Sequence, residues 1–445
     1  MSDLKERFAA LGVGVPEVYL PAPGTDYPAW AVVACDQYSS EREYWERVSL
    51  LVGEAPSTLN VIFPECYLED DDKAERVVRI QAYMKKYLAM GILRKQEPGF
   101  VLVERKTPYE KYPRKGLVIA VDLEAYQYGK DVTSKIRPTE GTIVERLPPR
   151  MEIRRGAPLE VPHIMLLIDD PDRTVIEPLH DKMDALPGLY DFDLMTGSGH
   201  VRGAHVADPV DLEKLAGALE RLANAKVYED KYGSADVLLF AVGDGNHSLA
   251  TAKAVWEETK KTLEGDPGLT SHPARHALVE LVNIYDEGLP FHPIHRVLFK
   301  ADKKSLVADL VKAGAILEPM PFADAVKMTD DYRGPEHRFV YVSDTEAGLM
   351  RFRAPTDKLA TGTLQVLLDA HLKDHSSTGI DYIHGTESLE ALARKPGNFG
   401  FYLPPIDKGS FFGTIIRDGV MPRKTFSMGE APEKRFYIEA RKIVL

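Results

Sequence analysis

A short polar corner between an apolar run and a helix-period segment is the feature that most constrains the fold of this chain. Residues 237–242 read VLLFAV, and residues 243–248 read GDGNHS. The residues that follow, up to 265, repeat apolar side chains at helical spacing. A buried strand that ends in a glycine turn and leads into a helix is typical of proteins that mix strands and helices in one core.

Short apolar runs alternate with helix-period segments along the rest of the chain. Besides 237–242, we predict strands at 29–35, 99–105, 116–123, 163–169, 339–344 and 397–403. This pattern predicts an α/β or α+β fold, in which a mixed-sheet domain carries the corner and additional α+β elements surround it. The 445 residues are enough for two or three domains, and we place three regions at 1–125, 126–300 and 301–445.

Composition narrows the class of protein. The chain is 44% hydrophobic and 28% charged, as expected for a globular protein with a large buried core. Its net charge is -12 and it has no block rich in lysine or arginine, which argues against a nucleic-acid partner. There is no apolar run of 18 residues and no signal-peptide pattern, so we expect no membrane span and a cytoplasmic location.

The backbone of the corner has the properties of an anion site. Gly243 and Gly245 permit a tight turn and the close approach of a ligand to the main chain. Asn246 or Ser248 can cap the helix. Because N–H groups and the positive end of the helix dipole face whatever binds there, the corner suits a phosphate.

The side chains of the corner add groups that can act on a phosphate. Asp244 can hold Mg²⁺ or accept a proton, and His247 can donate to a phosphate oxygen or shuttle a proton. The corner matches neither G-x-x-x-x-G-K-[ST] nor G-x-G-x-x-G, since position 248 is serine. The same residues also fit a tight turn that simply caps a helix.

Four ordered landmarks resemble the family called domain of unknown function 1015. The landmarks are RPTEGTIVER at 137–146, DGNHS at 244–248, LPFHPIHRVL at 289–298 and DGVMPRKTFSMGEAPEKRFYIEARKI at 418–443. They are similar, in that order, to the family's H-E-x-T region, D-G-H-H-R corner, P-x-H-R segment and M-P-x-K-S/T block. Asn246 and Ser248 depart from the family's first histidine and its arginine. Another cation must therefore contact the phosphate, or the ligand differs.

The corner of that family is in turn similar to the corner of the ParB and sulfiredoxin superfamily. That superfamily includes nucleotide-binding partition proteins, sulfiredoxin and free serine kinases. The resemblance implies a nucleotide, ATP or ADP, with its phosphates on the helix N-terminus. It also implies a Mg²⁺-dependent phosphotransferase acting on a small hydroxylated metabolite such as serine. Two alternatives remain open: a nucleotide-binding regulator without turnover, and a phosphatase of a phosphorylated metabolite such as phosphoserine.

Phosphoryl transfer needs cations on the phosphates, a metal and a group that positions the acceptor. We assign the metal or the acceptor proton to Asp244, charge stabilisation to His247 and Arg296, and positioning of the acceptor to Glu140. The expected nucleotide-binding residues are Gly243, Gly245, Asn246, Ser248, Arg423 and Lys424.

Histidine pairs with four-residue spacing occur elsewhere in the chain. His371 and His375 lie in H-L-K-D-H, which lacks the glutamate of H-E-x-x-H, and His272 and His276 lie on either side of a proline. We interpret both pairs as packed or solvated histidines rather than zinc ligands.

Overall fold

The structure is a computed structural model that describes residues 2–129, 132–355, 357–422 and 424–445. The chain divides into two compact units. Unit 1 comprises Met1–Leu289, Phe412–Val420 and Gly429–Leu445, and unit 2 comprises Pro290–Phe411 and Met421–Met428. The three regions expected from the sequence stay a prediction. Among the described helices, none combines the length and the apolar character that crossing a membrane requires.

Helices and strands alternate along the described residues. The helices are α1 (Ser2–Ala10), α2 (Tyr27–Trp30), α3 (Arg42–Val52), α4 (Lys73–Ala89), α5 (Leu147–Arg154), α6 (Glu177–His180), α7 (Pro209–Leu222), α8 (Ala225–Tyr232), α9 (Asn246–Thr262), α10 (Lys303–Lys312), α11 (Phe322–Asp330), α12 (Ala360–Asp374), α13 (Thr386–Ala393) and α14 (Lys408–Asp418). The strands are β1 (Val13–Gly14), β2 (Val18–Pro21), β3 (Leu93–Lys95), β4 (Phe100–Lys106), β5 (Arg114–Asp122), β6 (Ile136–Pro138), β7 (Leu159–Glu160), β8 (Met165–Ile168), β9 (Gly188–Asp193), β10 (His200–Val206), β11 (Phe240–Asp244), β12 (His276–Asn283), β13 (His292–Pro293), β14 (His295–Phe299), β15 (Ile316–Pro319), β16 (His337–Ser343), β17 (Ala347–Phe352), β18 (Gly379–Ile383), β19 (Phe399–Tyr402), β20 (Phe426–Ser427) and β21 (Ala440–Lys442).

A large mixed sheet forms the centre of unit 1. Within the described residues it has nine strands, in the order β6-β11-β8-β12-β5-β4-β10-β9 with β1 paired to β5. β11 runs parallel to β6, and β12 runs parallel to β8, whereas the remaining pairs are antiparallel. The predicted mixed-sheet fold of strands and helices is confirmed.

Both faces of this sheet are buried. On β5, Leu117 and Ile119 point into a core that also contains Trp256 of α9, while Val118 points into a second core with Trp45 of α3. Since alternate residues of a strand face opposite sides, apolar side chains at successive positions require cover on both sides. α9 is therefore held against the sheet by its apolar face, and its N-terminus lies at the end of β11.

The apolar run at 29–35 does not form the predicted strand. Its first residues belong to α2, where Asp26 Oδ1 accepts a hydrogen bond from the Ala29 N–H at 3.2 Å. The Trp30 indole is buried and donates to the Ile438 carbonyl at 2.9 Å. This correction reflects a cap and a long-range contact, which outweigh the β propensity of a short apolar run.

Unit 2 is built on an antiparallel sheet. Six strands of the described residues form it, in the order β15-β17-β16-β19-β14-β18, and β13 pairs separately with β20. α10 and α12 pack together through Leu306, Leu310, Leu364 and Leu368, in one core with Phe399 of β19. Two helices are thus fixed side by side on one face of this sheet.

Candidate functional site

The corner begins where β11 ends at Asp244 and α9 begins at Asn246. Gly245 lies between them with φ +77° and ψ +30°, in the left-handed region. A Cβ atom at this position would lie 3.1 Å from both Cα and Cγ1 of Ile164, so the turn requires glycine. Gly245 is also the N-cap of α9, and it brings no side-chain acceptor to the first turn. Neither Asn246 nor Ser248 caps the helix, contrary to the expectation from sequence.

Asn246 instead links the corner by a hydrogen bond to the residue that follows β6. Its Oδ1 accepts a hydrogen bond from the Thr139 N–H at 3.2 Å, and the Thr139 hydroxyl donates to the Val242 carbonyl at 2.6 Å. Thr139 directly follows β6, which runs parallel to β11, so Glu140 lies at the same edge of the sheet as the corner. A further bond runs from the Ile143 N–H to His247 Nε2 at 3.3 Å. The structure thus brings the segment around Glu140 to the D-G-N-H corner.

Asp244 is paired with a lysine from the C-terminal segment. Its Oδ1 accepts from the Gly245 N–H at 2.9 Å, and its Oδ2 accepts from Lys434 Nζ at 3.0 Å. Burial acts to raise the pKa of Asp244, but the charge and hydrogen bond of Lys434, with a smaller effect of His163, lower that pKa below its usual value. Asp244 is therefore a carboxylate at neutral pH.

Ser248 belongs to a chain of hydrogen bonds that enters a cavity. Its Oγ lies 2.7 Å from His163 Nε2, and His163 Nδ1 lies 2.9 Å from the Tyr437 hydroxyl, which accepts from the Cys35 N–H at 3.0 Å. These side chains border a cavity of about 150 Å³. Its other walls include apolar side chains and an ion pair between Arg150 and Glu65. A proton can pass along this chain, because each ring nitrogen of His163 has a hydroxyl partner.

Three residues that sequence reasoning missed therefore complete the site: His163, Lys434 and Tyr437. Lys434 and Tyr437 lie in the C-terminal block that resembles the family, but the M-P-x-K motif drew attention to Arg423 and Lys424 instead. His163 precedes β8 with no motif of its own, and it reaches Ser248 across 85 positions of sequence. Lys434 places a cation beside the corner, where Ser248 stands in place of the family's arginine.

The other basic residues expected at the phosphate belong to unit 2 or lie outside the described residues. Arg296 is fully buried in β14 of unit 2, where its Nε donates to Gln365 Oε1 at 3.2 Å and its guanidinium lies 5.1 Å from the centre of the Tyr382 ring. Lys424 also belongs to unit 2 and has a left-handed backbone, with φ +57°. Arg423 lies outside the described residues. Their roles at a phosphate stay predictions.

Comparisons with known proteins place the chain in a family. A family model described as "Protein of unknown function (DUF1015)" matches residues 19–371, so the chain belongs to that family, as the landmarks predicted. No curated protein matches the chain.

The solved structures that are similar to the chain include three that illustrate the low sequence identity of the match. A free serine kinase in complex with AMP is 13% identical, with a TM-score of 0.40 over 77% of this chain and 98% of that chain. A conserved hypothetical protein from Pyrococcus furiosus is 12% identical, with a TM-score of 0.37 over 74% and 95%. SbnI with a C-terminal truncation, from Staphylococcus aureus, is 10% identical, with a TM-score of 0.32 over 72% and 82%.

Proposed function

We propose that this protein binds ATP or ADP at the corner 243–248 and transfers a phosphoryl group to a small hydroxylated metabolite with the aid of Mg²⁺. The proposal rests on three features that lie together at the corner. The start of α9 has no side-chain cap, Asp244 is ionised, and Lys434 contacts Asp244. Because Gly245 offers no side-chain acceptor, the first turn of α9 is suited to an anionic ligand. The apolar face of α9 fixes that turn in place before the ligand arrives.

Lys434 is the cation that we assign to the nucleotide phosphates. Its Nζ lies 3.0 Å from Asp244 Oδ2, and its side chain is only 12% exposed. A charge that is largely withdrawn from water interacts more strongly with a phosphate than an exposed one. Asp244 keeps this ammonium in position until the phosphate binds. His247 accepts the Ile143 N–H on Nε2, so its neutral ring carries the proton on Nδ1, the atom that we expect to donate to a phosphoryl oxygen.

The carboxylates at this edge of the sheet fit a magnesium ion. Mg²⁺ binds through one or two carboxylates together with phosphate oxygens and water. In bonds between described residues, each carboxylate oxygen of Asp244 accepts one hydrogen, which leaves lone pairs for a cation. Glu140 is the second carboxylate at this edge. We infer that Asp244 would hold the ion, which when bound neutralises the phosphate oxygens, and that Glu140 would position the acceptor.

The cavity beside Ser248 is the place that we assign to the acceptor. Its volume of about 150 Å³ is several times the space of one water molecule, and it lies against the start of α9. His163 and the Tyr437 hydroxyl face it, and both can exchange a proton with an acceptor hydroxyl. Arg150 and Glu65 add one charge of each sign, which suits a metabolite that carries both an ammonium and a carboxylate.

A phosphatase is the second candidate. The 2.7 Å distance between Ser248 Oγ and His163 Nε2 is that of a hydroxyl and the base that activates it. Attack of Ser248 on a phosphorylated metabolite would release the metabolite, and water would then release inorganic phosphate from the serine. This reaction needs no nucleotide, so the two candidates differ in a measurable co-substrate.

Phosphorus NMR on the purified full chain distinguishes these functions. One sample contains ATP or ADP, Mg²⁺ and a panel of hydroxylated metabolites that includes serine, and a second contains phosphoserine alone. We expect a new phosphoester signal in the first sample and loss of that signal when Mg²⁺ is chelated. Inorganic phosphate from phosphoserine alone would support the phosphatase. Nucleotide binding in a separate titration, without new signals in either sample, would instead support the regulator without turnover.

Gly245→Ala tests whether the nucleotide binds at the turn. We expect the free energy of unfolding to fall by about 1–2 kcal/mol for the left-handed backbone, with a further loss from contact with Ile164, and nucleotide binding to disappear. Gly233→Ala is the matched control, because Gly233 has φ +71° at the end of α8 and no atom within 4 Å of the added Cβ. Urea unfolding and nucleotide titration measure both effects. Equal nucleotide affinity in the two variants would contradict a ligand at the turn.

A further inference from the structure

Unit 2 contains a cluster of two histidines and a carboxylate that has no part in the proposed function. His371 and His375 lie one turn apart at the end of α12, and their rings stack with centroids 4.1 Å apart. Asp309 of α10 faces them, with Oδ2 2.6 Å from His371 Nδ1. Each of the three residues offers one potential ligand atom, and these atoms all lie within 4.8 Å of one another. Among the described residues, these three side chains therefore form a group that could hold a metal ion.

His371 presents its Nδ1, and not its Nε2, to the carboxylate of Asp309. The residue is 3% exposed, and its Nε2 is buried with no hydrogen-bond partner in the described part of the chain. The other nitrogen, Nδ1, is held by Asp309. Because Oδ2 of Asp309 lies at Nδ1, that nitrogen faces the carboxylate, and Nε2 points away from it. A cation bound by Nδ1 and Oδ2 would take the place of the proton that these two atoms share.

We propose that Asp309, His371 and His375 form a binding site for a divalent transition metal, with Zn²⁺ as the ion whose preferences they match. Two imidazoles and one carboxylate are the ligand types that zinc accepts, and water completes such a set. Ligand atoms no more than 4.8 Å apart lie within about 2.8 Å of a common centre. Rotation of the imidazoles out of their stacked arrangement would turn their lone pairs toward that centre and shorten the distances to about 2.0–2.2 Å. Asp309 is half exposed, so water and the ion can reach the site.

The site would join two helices of unit 2. The ligands come from α10 and α12, which already share the apolar contacts of Leu306, Leu310, Leu364 and Leu368. Ser305, one turn before Asp309, lies with its Oγ 3.0 Å from His375 Nε2, so that bond must yield if this nitrogen takes the metal. A metal that binds the folded arrangement and not the unfolded chain stabilises the fold in proportion to its occupancy. The site therefore acts as a metal-dependent clamp between α10 and α12, and it does not depend on the nucleotide chemistry of unit 1.

The experiment is a titration of the metal-free, tag-free full chain with Zn²⁺ by calorimetry, and with Co²⁺ by visible absorption. We expect one ion per chain, a Co²⁺ spectrum of nitrogen and oxygen ligands in low coordination, and a higher midpoint of thermal unfolding with Zn²⁺. Asp309→Asn and His375→Asn, both at positions that are not fully buried, should each weaken binding by about 10–100-fold. Both variants should lose the Co²⁺ spectrum and the Zn²⁺-dependent rise in unfolding temperature.

Two comparisons keep the result specific to this cluster. His272→Asn changes the other histidine pair with four-residue spacing, which has no third ligand among the described residues, and it should leave the affinity for Zn²⁺ unchanged. If Asp309→Asn and His375→Asn bind Zn²⁺ with the stoichiometry and affinity of the unsubstituted chain, the site lies elsewhere and the proposal is wrong. If the unsubstituted chain binds no Zn²⁺ or Co²⁺, the proposal is also wrong.

Discussion

Replacing Asp244 with asparagine is expected to lower phosphoryl transfer by about 10²–10⁴-fold while leaving the fold intact. Asparagine has nearly the same shape and can still accept the Gly245 N–H, but it carries no charge. It therefore cannot hold Mg²⁺ as a carboxylate does, and it leaves the Lys434 ammonium without its partner. The measurement is the rate of phosphoester formation in the phosphorus NMR assay, with the unfolding transition followed in parallel.

A matched control for Asp244→Asn exists at Asp169, directly after β8 of the same sheet. Asp169 pairs with Lys231 at 2.5 Å and accepts the Tyr285 hydroxyl at 2.9 Å, so Asp169→Asn removes an equivalent carboxylate from a lysine pair away from the corner. We expect that variant to keep its rate of transfer. If the two variants lost activity to the same degree, or if Asp244→Asn kept full activity, Asp244 would have no specific role. If Asp244→Asn still bound nucleotide but transferred no phosphoryl group, the charge of Asp244 would be needed for the chemical step and not for binding.

The corner could be predicted from sequence because its signals are local. The apolar run, the two glycines and the helical periodicity all lie within one stretch, and the sequence D-G-N-H-S identified the family. The ends of the elements were less accurate, since β11 extends to Asp244 and α9 begins at Asn246. Both shifts follow from Gly245, which serves as turn and N-cap at once, so the polar side chains on either side of it could take long-range partners instead.

The partners of the corner could not be predicted, because they lie far away in sequence. Lys434 is 190 positions from Asp244, and nothing in a single sequence ties one lysine among many to that carboxylate. The same holds for the cluster of Asp309, His371 and His375 in unit 2. The spacing of His371 and His375 was visible, but Asp309 lies 62 positions from His371, and without it the pair looks like two packed histidines. The spacing of two residues on one helix can be read from sequence. The position of Asp309 beside them depends on how α10 and α12 pack, which a single sequence does not show.

Removing the buried carboxylate of Glu280 is expected to lower the free energy of unfolding by about 3–5 kcal/mol. Glu280 lies in β12, is 1% exposed, and contacts the guanidinium groups of Arg114 and Arg435. Burial acts to raise the pKa of Glu280, but the two arginines lower it, so the residue is ionised in the folded state. Glu280→Ala removes the carboxylate that both buried guanidinium groups contact. The loss of stability is large because buried positive charge is left without its compensating negative charge.

Glu258→Ala is the matched control for stability. Glu258 forms a two-point ion pair with Arg155 at 2.7 Å, but both side chains are nearly half exposed, and we expect a change of at most about 1 kcal/mol. Urea unfolding of the two variants under the same conditions measures the difference. Equal losses would mean that the Glu280 network contributes no more than a surface pair.

The network around Glu280 is also linked to the corner, because one of its arginines directly follows Lys434 in the C-terminal segment. Arg435 is fixed by Glu280, by Glu439 at 2.6 Å and by the Pro162 carbonyl at 3.1 Å, and it directly follows Lys434. The buried charges therefore hold the backbone from which Lys434 reaches Asp244. We expect Glu280→Ala to weaken nucleotide binding as well, under conditions where the variant is still folded, whereas Glu258→Ala should not. If Glu280→Ala lost stability but bound nucleotide with unchanged affinity, Lys434 would be positioned independently of the network.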